Sequence, residues 1–434
     1  MATTTKSIMK RLKQVVQQAQ KKIDLETAQN PELRRAIHIV ESFLKRSGRV
    51  CYGGQAINVQ LPAKHQFYNL ETSLPDYDFF SPDEKLDTDK IIGELREAGF
   101  EEISKRVGIH EGTMKLYVNY TPIADITQIN SDFYNKIHEK SVIVNGIRYA
   151  DPVFLRMMAY LELSRPRGML SRWDKVFERL SLLDAAQPLH RCKGADKMHI
   201  LENEKSAELR VKLIQYLLKN NRVFMGADIH ALYQTSGSGR TANSRMKFLL
   251  QGHSPTVFMS SDAALDANIL SEDLNLRAKD IFGYQNILPP MIALYKGDLL
   301  VCLIVQEEAC HSFVVLPLTK GREMRMASLD TLLTFLIGLY YRDESIIMTT
   351  QSLLCWIRYY IDVSMRYRLQ PTTMVPSFPV ECSGYQTTFA SLLRAKAARI
   401  EAVRQKVVSD ISSITRRRSV VERRIQKNTR RRRY

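Results

Sequence analysis

At 434 residues, with 44% hydrophobic and 25% charged positions, the chain has the composition of a globular protein of two or three domains and not of a disordered or fibrous one. No apolar run approaches the ~20 residues that cross a bilayer, so no membrane is expected among its partners. The net charge of +17 is lopsided: residues 391–434 hold 15 Lys/Arg against 3 Asp/Glu, which leaves only +5 for the first 390 residues.

In chain order, apolar spacing predicts helices over 5–23 and 31–46. The first is basic and amphipathic (Leu12, Val15, Val16, Ala19, Ile23) and lacks the apolar core of a secretory signal, so it reads as a plain N-terminal helix. Arg49-Val50-Cys51-Tyr52 reads as a short strand that runs into Gly53-Gly54 and then a helix, QAINVQL. Such a turn lets backbone N–H groups approach a phosphate. Next, LPDYDFF places Asp76 and Asp78 on one face of a strand, with Tyr77 and Phe79 on the other. Two carboxylates ~6.6 Å apart along a strand repel each other unless a cation sits between them. A helix over Asp89 to Glu97 follows, then a strand with Leu116, Val118 and Tyr120 alternating, a turn at Thr121-Pro122, and a strand carrying Asp125 between apolar neighbours. Three carboxylates on adjacent strands suit hard divalent cations, which want oxygen ligands. Two such ions ~3.5–4 Å apart can activate an attacking hydroxyl and stabilise a leaving pyrophosphate.

The sequence also repeats itself. FLKRSGRVCYGGQAIN (43–58) is echoed by LLKNNRVFMGADIHAL (217–232), and DFFSPDEKLDTDKIIGEL (78–95) by VFMSSDAALDANILSEDL (257–274). In that register Asp76 and Asp78 fall on Pro255 and Val257, and the strand LLVCLIVQEE offers nothing for Asp125, so a fold without catalysis is expected there. SGSGRTANSR (236–245) lacks P-loop spacing and reads as a loop or hairpin. The aromatic stripe Trp356, Tyr359, Tyr360, Tyr367 reads as the core face of a helix over 352–369. After a proline-rich link, 386–414 reads as a long amphipathic helix that leads into an arginine-rich tail. Arginine outnumbers lysine twelve to three from 391 onward, which favours a phosphate-bearing polyanion as partner, although a localisation signal remains open. No CxxC or zinc-finger spacing is present, and Cys51, Cys192, Cys302, Cys310, Cys355 and Cys382 all read as reduced thiols of an intracellular protein.

Gly53-Gly54, Asp76-x-Asp78 and Asp125, in that order, resemble the active-site signature of the DNA polymerase beta-type nucleotidyltransferase superfamily. More closely, CYGGQAIN, LPDYDFFSPD, IADIT, YADPVFLRMMAYLELSRP and SRWDKV resemble the poly(A) polymerase catalytic subunits of nucleocytoplasmic large DNA viruses, of the poxvirus and giant-virus kind, over 35–345. One departure is a longer gap between glycines and acids, Leu61 to Leu74, than in most cellular members.

The resemblance implies an α+β chain with two tandem nucleotidyltransferase-like domains (mixed sheet with flanking helices), the second degenerate, plus a helical C-terminal extension. The implied segments are an N-terminal helical one (1–34), a catalytic domain (35–185), a degenerate domain (186–345), a helical region (346–414) and the arginine-rich tail (415–434). It implies template-independent transfer of AMP from ATP to the 3′-hydroxyl of RNA, forming poly(A) tails on viral mRNA with two Mg2+ or Mn2+ ions. Asp76 and Asp78 would bind both ions, Asp125 the ion that activates the hydroxyl, Gly53 and Gly54 the phosphates, and Arg172 and Lys175 the nucleotide tail. Expected partners are an RNA 3′ end, ATP, and a second copy or a viral processivity subunit; the expected location is the virion and the host cytoplasm, in the viral factory. Transfer of another nucleotide, or an idle RNA-binding scaffold, stays open beside this reading.

Overall fold

The structure, a computed structural model, describes the chain except residues 1, 70, 191, 193–206, 227–228, 237–241, 252–253, 285–286, 343–345 and 407–434. Two helices lead in, α1 (Ala2–Gln29) and α2 (Pro31–Ser47). Asn30 caps α2 by accepting from the N–H groups of Glu32 and Leu33, Pro31 sits at its first turn, and Gly48 ends it in the left-handed region at φ 62°. Then come β1 (Val50–Cys51), α3 (Gly53–Asn58), β2 (Tyr77–Ser81), α4 (Glu84–Glu97), β3 (Ile103–Val107), β4 (Thr113–Val118), β5 (Thr121–Gln128), α5 (Ser131–Lys140), β6 (Val142–Val144), β7 (Ile147–Tyr149), α6 (Pro152–Leu163) and α7 (Trp173–Ala186). Their strands form one mixed sheet in the order β3-β4-β5-β2-β1-β7-β6.

The rest repeats the plan. It contains α8 (Ala207–Lys219), β8 (Val223–Phe224), α9 (Ile229–Ser236), α10 (Ala242–Gln251), β9 (Thr256–Ser260), α11 (Ala263–Leu274), β10 (Arg277–Ile281), β11 (Met291–Lys296), β12 (Leu299–Gln306), β13 (His311–Pro317), β14 (Glu323–Ala327), α12 (Leu329–Tyr340), α13 (Thr350–Leu369) and β15 (Cys382–Ser383). The second sheet runs β10-β11-β12-β9-β8-β14-β13-β15, the same order as the first with one strand added at its edge. Correspondence reaches single side chains. Buried Asp87 takes Arg49 at 2.5 Å and buried Asp266 takes Arg222 at 2.7 Å. Asp83 caps α4 through Leu86 N, and Asp262 caps α11 through Leu265 N. Gly48 and Asn221 both take positive φ just before the first strand. The two tandem units of an α+β fold are thus present, with one continuous apolar core running through both. Phe133 of the first stacks on Tyr284 of the second with ring centroids 4.6 Å apart.

Several expectations shift at this level. Asp76 precedes β2 instead of lying within it, α4 starts five residues before Asp89, and the β4–β5 turn is Asn119-Tyr120, both at positive φ, so Tyr120 is a turn residue 76% exposed. That pair of left-handed residues matches the twist of a two-residue hairpin, which a Thr-Pro turn would not. The cysteine reading is corrected: Cys192 bonds Cys355 and Cys310 bonds Cys382, leaving Cys51 and Cys302 as free, buried thiols. The partners are 163 and 72 residues apart, so no local spacing announces them; pairing of β13 with β15 brings the second pair together. On α13, Trp356, Tyr360 and Tyr367 are buried in the core, as expected, whereas Tyr359 is only half-buried against it. The helix expected over 386–414 is seen over 389–406, residues 386–388 being non-helical, and 407–414, like the tail 415–434, lie outside the described residues. Of SGSGRTANSR, expected as a loop or hairpin, Ser236 ends α9 and 242–245 open α10, while 237–241 lie outside the described residues. Among the described residues, no helix is long and apolar enough to cross a membrane.

Candidate active site

The parallel pairing of β2 with β5 sets Asp78 directly opposite Asp125, and the antiparallel pairing of β5 with β4 sets Asp125 opposite Lys115. Three neighbouring strands therefore present acid, acid and base in one row across the sheet. Behind them the apolar partners of the same strands close the core: Tyr77, Phe79, Ala124 and Leu116 are buried. Asp76, two residues before Asp78, stands at the exposed rim.

Lys115 Nζ donates to Asp125 Oδ2, which accounts for one oxygen of that carboxylate. The other, Asp125 Oδ1, is buried without a hydrogen-bond partner. An orphaned carboxylate oxygen is costly in a protein interior unless a cation meets it. Burial, together with Asp76 and Asp125 and against Lys115 and Arg172, pushes the Asp78 carboxyl up to about 7. Asp76 is raised for the same reasons, first its surroundings and then Asp125, with Lys115 opposing. Burial works against the Lys115 ammonium, but its bond to Asp125 outweighs this and raises its pKa. Burial is the first cause of both carboxyl shifts, and the neighbouring carboxylates add to it. Among the described residues no three acids, histidines or cysteines are gathered closely enough to cage an ion unaided. The donor set, hard carboxylate oxygens with one left unpartnered, nevertheless fits a hard divalent cation.

The two glycines have separate reasons. Gly53 takes φ +75°, and a Cβ there would stand 2.5 Å from Asp78 Oδ2. Gly54 has no such backbone need; a Cβ on it would stand 2.6 Å from Arg179 Nη1 and 3.0 Å from the Tyr68 hydroxyl. One glycine makes room for an acid and the next for a base.

Arg172 and Lys175 are both exposed, but Arg172 closes a short 3-10 turn ahead of α7 instead of lying on the helix itself. Arg172 Nε pairs with Glu162 at 3.1 Å and acts on Asp78. Lys175 is lowered by its surroundings and then by Arg179 and Arg172. Sequence reasoning missed Arg179 and Lys115. Arg179 lies one turn after Lys175, bonds the Tyr68 hydroxyl at 2.6 Å, and packs over the rings of Phe67 and Tyr68 at 4.5 and 5.2 Å. The i, i+4 spacing of Lys175 and Arg179 was the available signal, since it puts both on one helix face. For Lys115 it was a lone lysine amid MKLYV.

Residues 38–169 match the family model described as the poly(A) polymerase catalytic subunit. A putative poly(A) polymerase catalytic subunit of African swine fever virus (isolate Pig/Kenya/KEN-50/1950) is 25% identical over 164 residues, covering 36% of this chain and 34% of that protein. One of Acanthamoeba polyphaga mimivirus is 29% identical over 163 residues, covering 36% and 27%. These matches span about a third or less of the relatives' length. The Megavirus polyadenylate synthase crystal structure superposes with a TM-score of 0.74 at 17% identity, over 93% of this chain and 83% of that one. Residues 38–169 are therefore similar to the poly(A) polymerase catalytic subunits of large DNA viruses, and the chain as a whole has the fold of the Megavirus enzyme.

Proposed function

We propose that this protein is a template-independent nucleotidyltransferase that adds AMP from ATP to the 3′ ends of RNA, forming the poly(A) tails of viral mRNA. The observation that carries the reading is Asp78 beside Asp125 in register, with Asp125 Oδ1 buried and unpartnered, in one sheet and not in its repeat. At the corresponding positions the second sheet has Val257 paired with Leu303, and Ala293 opposite Leu303 where Lys115 would be. All three charges are lost together, which is what a fold kept for architecture alone would show.

Asp76, Asp78 and Asp125 would hold two Mg2+ or Mn2+ ions, which supply charge neutralisation at the attacking and leaving oxygens. The residues of the chain do the rest. Gly53 and Gly54 let the triphosphate approach the backbone, while Arg172, Lys175 and Arg179 balance its charge and that of the departing pyrophosphate. Lys115 holds Asp125 through Oδ2 and leaves Oδ1 for a cation, and Tyr52 ties β1 to β5 on the same face through its hydroxyl bond to Thr127 at 2.9 Å. Adenine preference rests on the similarity to named poly(A) polymerase subunits, as does an expected partner, a second copy or a separate processivity subunit. The virion and the host cytoplasm are the proposed setting because the relatives are viral. Incubating purified protein with a short RNA and each nucleoside triphosphate separately, with Mg2+ or Mn2+, tests the whole reading. Extension with ATP alone is expected; equal use of UTP or CTP points to a different terminal transferase, and no extension to a scaffold.

A further inference from the structure

The strand order β3-β4-β5-β2-β1 gives the carboxylates two opposite flanks. On the β1 side lie the glycine turn and Arg179. On the other side, past Asp125 and Lys115, lies the tip of the β3–β4 hairpin, closed by Gly108 N donating to Thr113 O at 2.6 Å. In-line displacement requires the attacking hydroxyl to enter opposite the leaving pyrophosphate. If the glycine side takes the triphosphate, the hairpin side is where the acceptor strand must come in.

That side carries its own cations, and they arrive from far along the chain. The helix over 389–406 reaches the hairpin tip, where Arg399 Nη2 donates to the Ile109 carbonyl at 3.3 Å. The root of the same segment is fixed to the second sheet: β15 pairs with β13, Cys382 bonds Cys310, and Phe313 N donates to Glu381 O at 2.9 Å. The segment therefore spans from the second sheet to the edge of the catalytic one. Helical spacing places Lys396, Arg399 and Lys406 on one face, with Arg394 and Arg404 on the opposite one. Around His110, at the hairpin tip, the strongest neighbouring charges are all positive: Arg165, Arg172, Arg399 and Lys115. The acids that face this group are Asp125, bonded to Lys115, Asp76, which also acts on Lys115, Glu162, paired with Arg172, and Glu308, which acts on Arg165.

We propose that the helix over 389–406 and the β3–β4 hairpin tip form one wall of a track for the RNA backbone, with Lys396, Arg399 and Lys406 on that wall. This rests on the reading of the site as a nucleotidyltransferase. The occupant is single-stranded RNA just upstream of its 3′ end, held by phosphate contacts without sequence preference.

The test uses full-length protein and a fluorescein-labelled oligo(A) RNA, with binding followed by anisotropy at several salt concentrations in an Asp78→Asn background that needs no turnover. The triple variant Lys396→Ala, Arg399→Ala, Lys406→Ala is expected to bind RNA tenfold or more weakly and to lose about 2 from the salt slope, at ~0.7 per phosphate contact. Arg399→Lys, which keeps the charge, should stay within a few fold of the parent, and Arg394→Ala with Arg404→Ala should cost less than the triple variant. With Asp78 restored, the KM for RNA should rise in the triple variant while the KM for ATP stays within twofold. Unchanged RNA affinity and slope overturn the track, as does an equal loss from the Arg394/Arg404 pair or a rise confined to the KM for ATP. If the wild-type chain transfers no nucleotide but the slopes still differ, the proposed activity falls and the RNA track stands.

Discussion

Gly53 and Asp78 are a single structural unit: the turn at φ +75° lets the Asp78 carboxylate sit where a Gly53 side chain would be, 2.5 Å from the position of its Cβ. A positive φ costs a non-glycine residue roughly 1–2 kcal/mol, and here the added methyl also pushes against the carboxylate. Gly53→Ala should therefore lower stability by about that amount and reduce AMP transfer far more. Thermal melts compared with single-turnover rates separate the two; a loss of rate no larger than the loss of stability would disprove the coupling.

Gly54→Ala should behave differently, since its backbone carries no positive φ and its Cβ would displace only the end of Arg179 and the Tyr68 hydroxyl. Stability should change by less than about 1 kcal/mol, as for a flexible side chain that gives way. The KM for ATP should rise several fold with kcat less affected, and Arg179→Gln should reproduce it. Steady-state kinetics on both variants checks this.

Asp78 sets a pH dependence with a defined sign. Its folded pKa of about 7 lies above its ordinary value of 3.8, so folding favours the protonated form. The stability this contributes is present below about pH 4 and is lost as pH rises through 7. Metal-free protein should therefore melt progressively lower from pH 5 to 8. Asp78→Asn should flatten that slope and melt higher at pH 8, while abolishing transfer; Mn2+ should raise the wild-type melting temperature at pH 8 and leave the variant nearly unmoved. A wild-type slope of the opposite sign would sink the assignment.

Removing Lys115 tests the row from its other end. Lys115→Met deletes the cation that bonds Asp125, so metal-free protein should lose about 1–3 kcal/mol, the cost of an unpaired buried acceptor. Transfer should fall at least tenfold and respond to higher Mg2+ only in part. Melting curves with and without Mg2+ would show it.

The second sheet should refuse the charges it lacks. Val257 is 1% exposed, in register with fully buried Leu303. Val257→Asp would bury an unpaired carboxylate there, costing on the order of 3–5 kcal/mol and creating no activity. Transfer that survived Asp78→Asn when Val257→Asp was added would contradict this.

Much of this was legible in the sequence because it is encoded at short range. Asp76-x-Asp78 and Asp125 stood out as acids in apolar strands of period two, and Gly53-Gly54 as a strand-to-helix turn. The repeat aligned Asp78 with Val257, and both sheets follow that register. Boundaries moved where capping and turn geometry outranked periodicity: Asp83 starts α4 early, and Asn119-Tyr120 takes the hairpin turn. What only the tertiary structure decided are contacts between residues with no spacing in common. Lys115 meets Asp125 because β4 and β5 pair in one register out of several that the alternating pattern permits. Arg179 reaches Gly54 across 125 positions because α7 packs beside α3. Cys310 finds Cys382 through an edge strand two residues long, and Arg399 finds Ile109 across 290 positions. Sequence sets which groups a strand or helix face carries; which face meets which is settled by packing of the whole chain, because burial is non-directional and rewards any arrangement that closes the core.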